Sequence, residues 1–327
     1  MKSYKYRIYP SRAQVTILER TLDICCELYN AALQERRDAW RIARKSVSCY
    51  EQQKQLSEIK NIREDLKSVY SQVLCDVLAR LDKAFNAFFG RVKSDEKAGF
   101  PRFRSRSRYS SFTYPQFDRR GFELPTSKLR LPKIGMVKIK LHRPIEGKVK
   151  TLTITRSSTG KWFACFTAEI EHESLTDNQN IVGIDMGLKS FATLSTGEVI
   201  ANPKFLRVEE KQLAKAQKKL SAAKKGSPER AKQRKVVARI HERIANKRRN
   251  FAHQESRKLV NRFGVIVFEN LNIKGMVKNH RLAKSISDAA WSRLIQFTAY
   301  KAEWAGRCVR QVNHATQARC VAAVVNW

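Results

Sequence analysis

Acid is scarce beside base in this sequence: 30 Asp and Glu stand against 65 Lys and Arg, a formal charge of +35 over 327 residues. Such a surplus repels itself unless a polyanion or counterions neutralise it. Nucleic acid is the natural partner, because phosphate contacts release condensed counterions. A membrane-surface protein and a ribosomal-type RNA binder share this charge and stay open on composition alone. Long apolar runs are also missing. No stretch reaches the roughly 18 residues a membrane span needs, and the N-terminus MKSYKYRIYP has no signal-peptide core. A cytoplasmic, nucleoid-associated chain with no membrane partner is therefore expected. Glycine (13) and proline (8) are scarce beside 42% hydrophobic residues, which argues against disorder and for two or three compact units. The seven cysteines lack any Cys-x-x-Cys spacing, so they read as reduced, packing thiols.

What is present divides the chain. YKYRIYP alternates like a strand, and Ser11 and Gln14 are spaced as a capping box for a helix running to about Trp40. Further helices are expected from about Glu51 to Ile62 and from Leu66 to Phe89. The segment GFPRFRSRSRYSSFTYP then places Arg102, Arg104, Arg106 and Arg108 in alternation, with Phe103 and Tyr109 among them. Guanidinium groups interleaved with aromatics suit phosphate contact and base stacking, although a solvated loop would look the same. Residues 111 to 171 read as short strands of a small barrel that the N-terminal strand can join, and 171 to 180 as a linker.

The second half opens on the apolar strand IVGID, followed by FATLST and EVIAN. Between Arg207 and Asn250, 16 residues are basic and 4 acidic, and Gly226-Ser227-Pro228 breaks them into a basic helical hairpin that includes Lys247, Arg248 and Arg249. A helix around His253 to Val260, the buried strand GVIVFEN and a helix from about Ser287 to Trp304 complete an α/β pattern compatible with the ribonuclease H type. Asp185 and Glu269 each end an apolar strand. An acid there is more often a turn-former or cap than a metal ligand. Two of them at the carboxyl edge of one sheet, in so basic a chain, strengthen the reading of a divalent metal site for phosphodiester hydrolysis. His241 and His253 are expected on the basic helices.

Several of these segments together resemble the TnpB family, also known as OrfB-type insertion-sequence transposases and related to type V CRISPR effectors. The matching residues are YKYRIYP, CCELYNAAL, LDKAFNAFF, GFPRFRSRSRYSSFTYP, KWFACFTAE, GIDMGL, NKRRNFAHQESRKLV, VFENLNIKGM and SISDAAWSRLIQFTAYKAEWAGR. The resemblance implies a prokaryotic, RNA-guided DNA endonuclease with an α+β multidomain fold. Residues 1–10 and 111–175 would form a wedge-like β-barrel, 11–110 an inserted helical recognition unit, and 181–327 a RuvC-like nuclease domain carrying the hairpin 207–250. It implies DNA and a transposon-derived guide RNA as partners, and Asp185 and Glu269 as catalytic carboxylates holding Mg²⁺ or Mn²⁺. The family continues into a zinc ribbon and a third carboxylate, whereas this sequence runs QVNHATQARCVAAVVNW, without the Cys-x-x-Cys ligands for Zn²⁺. Impaired cleavage is expected, with a non-catalytic guide-RNA and DNA binder as the alternative. The codons permitted for residues 313 to 327, read two bases later, allow a Cys-x-x-Cys segment, so a frameshifted or a genuinely short end both fit.

Overall fold

The computed structural model describes residues 1–117, 127–171, 175–176 and 178–312. The expectations about the C-terminal ending fall on 313–327, outside the described residues. The chain divides into two compact units, Met1–Glu171 and His172–Trp327.

In the first unit, β1 (Lys2–Tyr9) leads into α1 (Arg12–Ala43), whose N-terminus carries the expected box: the Gln14 amide donates to Ser11 Oγ and the Ser11 amide to Gln14 Oε1. A second box, Ser48 with Glu51, starts α2 (Cys49–Ile62). The third expected helix is split. A 3-10 turn (Glu64–Ser68) precedes α3 (Ser71–Lys93), because Val69 and Tyr70 are extended so that Val69 can be buried and Tyr70 can pack on Tyr114. The strands β2 (Ser111–Tyr114), β3 (Lys128–Leu131), β4 (Gly135–Lys140), β5 (Lys148–Arg156) and β6 (Trp162–Glu169) pair antiparallel with β1 in the order β2-β5-β6-β1-β4-β3. The N-terminal strand thus sits inside the sheet. Period-two alternation buries Tyr4, Tyr6, Ile8, Val137, Ile139, Leu152, Ile154 and Phe166 on the inner face. The sheet curls until the Tyr114 hydroxyl at one edge donates to the Pro132 carbonyl beside the other, although β2 and β3 share no ladder among the described residues.

The second unit contains β7 (Ile181–Met186), β8 (Ser190–Leu194), β9 (Val199–Ala201), α4 (Phe205–Ala222), α5 (Pro228–Arg262), β10 (Val265–Glu269), α6 (Ile273–Met276), α7 (His280–Ala289), α8 (Trp291–Trp304) and β11 (Cys308–Val312). Its sheet runs β11-β10-β7-β8-β9, with β11, β10 and β7 parallel and β8 and β9 antiparallel to their neighbours. Three expectations are corrected here. The basic arm and the helix at 253–260 are one helix, α5, because Ile240, Ile244, Ala252, Ser256 and Val260 keep one buried stripe at four-residue spacing. The helix expected from about Ser287 is two helices, broken where Ala290 adopts φ +54°. A fifth strand, β11, is added. Gly264 decides where β10 begins: a Cβ there would lie 1.5 Å from the Asn178 carbonyl oxygen, so only glycine lets the chain pass.

Candidate metal centre and nucleic-acid interface

Parallel pairing brings the two strand-end acids together. The β10–β7 register ends at Phe268↔Ile184, so the next residues, Glu269 and Asp185, occupy one row at the carboxyl ends of neighbouring strands. Residues level on adjacent parallel strands project to the same side. Asp185 is exposed and lies opposite Thr193 of β8, whereas Glu269 is 8% exposed and level with Val312 of β11. After Met186 the chain turns sharply, and a Cβ on Gly187 would come within 2.9 Å of the Ser190 carbonyl oxygen. Two carboxylates in a row offer the oxygen donors that suit Mg²⁺. Among the described residues no group of three His, Cys, Asp or Glu side chains could hold a metal ion.

After Glu269 the sequence contains only Asp288 and Glu303 as further acids. Glu303 is exposed on α8. Asp288 is buried and engaged: both carboxylate oxygens accept the Leu206 amide at 3.0 Å, and Oδ1 accepts Arg248 Nε at 3.0 Å and Nη2 at 2.6 Å. The N-cap position of α4, Lys204, provides no side-chain cap, so Asp288 of α7 caps that helix from outside and ties its end to α5. One turn further along α4, Glu209 accepts Arg243 and Lys247, each at 3.0 Å; the Lys247 hydrogen bond and both cations hold its carboxyl below the usual range. Lys247 and Arg248 therefore have protein partners that build the base of the hairpin. Arg249 is exposed. His253 stacks on Phe297 at 4.1 Å, and His241 is exposed on α5.

A buried lysine fastens α8 to α5. Lys301 Nζ donates to the His253 carbonyl and to Ser256 Oγ, both at 2.7 Å. Burial, with Arg257 nearby, brings its pKa down to about 8.

The arginine segment of the first unit is held by its backbone. Asn30 of α1 accepts the Arg104 amide at 2.8 Å and donates to the Arg104 carbonyl at 2.8 Å, while Cys26 Sγ approaches the same carbonyl at 3.2 Å. The side chains of Arg102, Phe103, Arg104 and Arg108 are left exposed. The Arg37 guanidinium lies over Phe103 at 5.2 Å, and Arg106 pairs with Glu27. Tyr109 differs from its expected stacking role: it is 7% exposed and packs against Tyr29. Burial likewise pushes the Cys25 thiol up to about 12, in keeping with a packing role.

A protein of Streptomyces pristinaespiralis, provisionally named an RNA-guided DNA endonuclease, is 37% identical over 311 residues, 94% of this chain and 76% of its own length. The chain belongs to the TnpB family. An Escherichia coli K12 relative of that family, InsQ, with the same provisional name, is 30% identical over 98% of this chain and 82% of its own. The OrfB family profile described as "Probable transposase" matches residues 165–280, which include both Asp185 and Glu269. A profile described as "Helix-turn-helix domain" matches residues 1–45, yet these TnpB-family residues form a strand and one uninterrupted helix. Among solved structures, the Cas12f1–sgRNA–target DNA complex contains a chain of similar fold, with a TM-score of 0.55 at 14% identity over 93% of this chain and 73% of that one. No helix of the described residues is long and apolar enough to cross a membrane.

Proposed function

We propose that this TnpB-family chain derives from RNA-guided DNA endonucleases and binds a guide RNA from the transposon end together with target DNA. Its second unit is a RuvC-like domain of the ribonuclease H type. The observation that carries this reading is the single row formed by Asp185 and Glu269 at the carboxyl edge of parallel strands. The provisional name of the Streptomyces and Escherichia relatives supports the same assignment.

Asp185 and Glu269 are the residues that would hold Mg²⁺ or Mn²⁺, which when bound supplies charge stabilisation and an activated nucleophile for phosphodiester hydrolysis. Asp185, being exposed, presents its carboxylate to that ion, while the buried Glu269 is fixed by its strand. Arg102, Arg104, Arg108 and Arg249 contact phosphates, and Phe103 offers a stacking face. Lys247 and Arg248 act one step back, holding the basic hairpin in shape.

The engagement of Asp288 favours a second reading. Residues 1–312 then bring two carboxylates to the site, and by themselves support guide-dependent binding without cleavage. The chain purified with its co-expressed transposon-end RNA, incubated with a guide-matched plasmid and Mg²⁺, separates the two readings. Cleavage abolished by Asp185→Ala establishes the nuclease, and guide-dependent binding without cleavage establishes the binder. Binding indifferent to guide identity sinks both.

A further inference from the structure

The helical part of the first unit contains a cavity of about 810 Å³ between the C-terminal ends of α1 and α3 and the residues that follow them. A space of that size suits one small ligand. Trp40, Phe85, Phe88, Phe89 and Phe100 give it aromatic walls, and Trp40, Phe89 and Phe100 remain exposed. Large apolar side chains gathered at a surface point to something that covers them. Arg37, Arg41 and Lys45 stand four residues apart along one rim. The acids of the cavity are already engaged. Asp38 accepts Gln34 at 2.7 Å on one carboxylate oxygen and Arg41 at 3.2 Å on the other. Asp82 likewise accepts Arg36 at 3.0 Å and Asn86 at 3.1 Å. Donors are what is left over. The Arg36 side chain is 8% exposed, yet its Nη2 is buried without a hydrogen-bond partner, a costly state for a charged group. Arg37 and Lys45 are exposed at the rim.

We propose that this cavity binds a single unstacked nucleotide, with its base against Trp40 and Phe89 and its phosphate against Arg37 and Lys45. The Arg44 guanidinium lies over the Trp40 ring at 5.8 Å, so the base takes the other face of that ring. Base edges and phosphates are rich in acceptors, which is what Arg36 and the rim cations lack. A peptide would instead bring backbone N–H groups that need acceptors, and both acids of the cavity are taken. Every base has a face to stack, so the site should tolerate all four. The nucleotide is either free or one unpaired residue of a strand. The strand form rests on the nucleic-acid reading above, and Phe100 leads directly into Arg102 and Phe103, with Arg37 lying over Phe103 at 5.2 Å.

The experiment titrates the full chain by calorimetry with adenosine and uridine monophosphate, with ribose 5-phosphate, and with an RNA trinucleotide and its counterpart lacking the central base. The variants are Trp40→Ala, Phe89→Ala and the double Arg37→Gln, Lys45→Gln. Loss of the base, or of the Trp40 ring, should weaken binding roughly ten- to a hundred-fold, the contribution of one stacked base. The double variant should weaken nucleotide and ribose phosphate alike. Trp40 and Phe89 are exposed, so thermal unfolding of their variants should stay close to wild type and separate lost binding from lost folding. Binding of the monophosphates assigns a free ligand. Preference for the intact trinucleotide, without binding of the monophosphates, assigns a strand residue. Equal binding with and without the base overturns the proposal, as do unchanged affinity in Trp40→Ala, no binding of any nucleotide, or tighter binding of the acidic aromatic tripeptide Asp-Glu-Phe. Retention of the co-expressed transposon-end RNA by the full chain in those cases leaves the broader reading standing, and its loss from wild type ends that reading separately.

Discussion

The two sheets of this protein place charge in opposite ways. In the first unit every strand is antiparallel, residues alternate between core and solvent, and the cations spread over a face that contains a single acid. The sheet of the second unit has parallel neighbours, and the two acids within its strands, Asp185 and Glu269, stand level where β7 and β10 end. The cations follow the same division. Around Arg104 the backbone is pinned and the guanidinium groups stay exposed, whereas Lys247 and Arg248 are pinned by their own charges to Glu209 and Asp288. Antiparallel alternation spreads charge over a face, whereas parallel strands bring it together at an edge, and a nearby carboxylate decides whether a cation stays unengaged.

The most severe way to break the contrast is to remove the parallel edge. Gly264→Ala forces a Cβ into the Asn178 carbonyl, and we expect a loss of about 3 kcal/mol or more in the second unit by denaturant unfolding, with Met1–Glu171 unaffected. Asp288→Ala leaves the Leu206 amide and the Arg248 guanidinium without their acceptor. Because Arg248 keeps some exposure, about 2 to 3 kcal/mol is expected, with faster hydrogen exchange at the start of α4. Asn30→Ala should cost about 1 to 2 kcal/mol in the first unit and expose residues 102–108 to trypsin. If trypsin sensitivity does not change, the backbone pinning of the arginine segment is wrong.

Smaller effects sharpen the comparison. Lys301 has a folded pKa of about 8 against an ordinary 10.5. Below 8 both states hold its proton; between these values the unfolded chain holds it and the folded chain does not, so this group's contribution to stability rises with pH across that window. The difference in Tm between wild type and Lys301→Met should therefore shift in favour of wild type between pH 8 and 10, and a constant difference would refute the assignment. Asp185→Asn, at an exposed strand end, should move stability by no more than about 0.5 kcal/mol while weakening Mn²⁺ binding measured by calorimetry. Intact Mn²⁺ binding would remove Asp185 from the metal site.

Much of the fold was legible because local patterns carried it. The box at Ser11 and Gln14, the alternation of β1 and β6, the Gly226-Ser227-Pro228 break and the apolar runs before Asp185 and Glu269 all appear where expected. β11 was not legible, since CVRQV has no clear alternation and its place comes from backbone pairing with β10. Tyr109 continues an arginine–aromatic alternation but is drawn into the helical core. Arg248 looks like its neighbour Arg249, and only the approach of Asp288, 40 residues away, distinguishes them.

By itself the sequence determined the charge of the chain, the order and type of most elements, and the two acids at strand ends, because composition and periodicity act over a few residues. The tertiary structure alone decided that those acids share a row, that Asp288 is spent on holding α4 and Arg248, and that lysines of neighbouring strands face one another across the outer sheet. Those are matters of register and distance between segments far apart in the chain, and no local pattern encodes them.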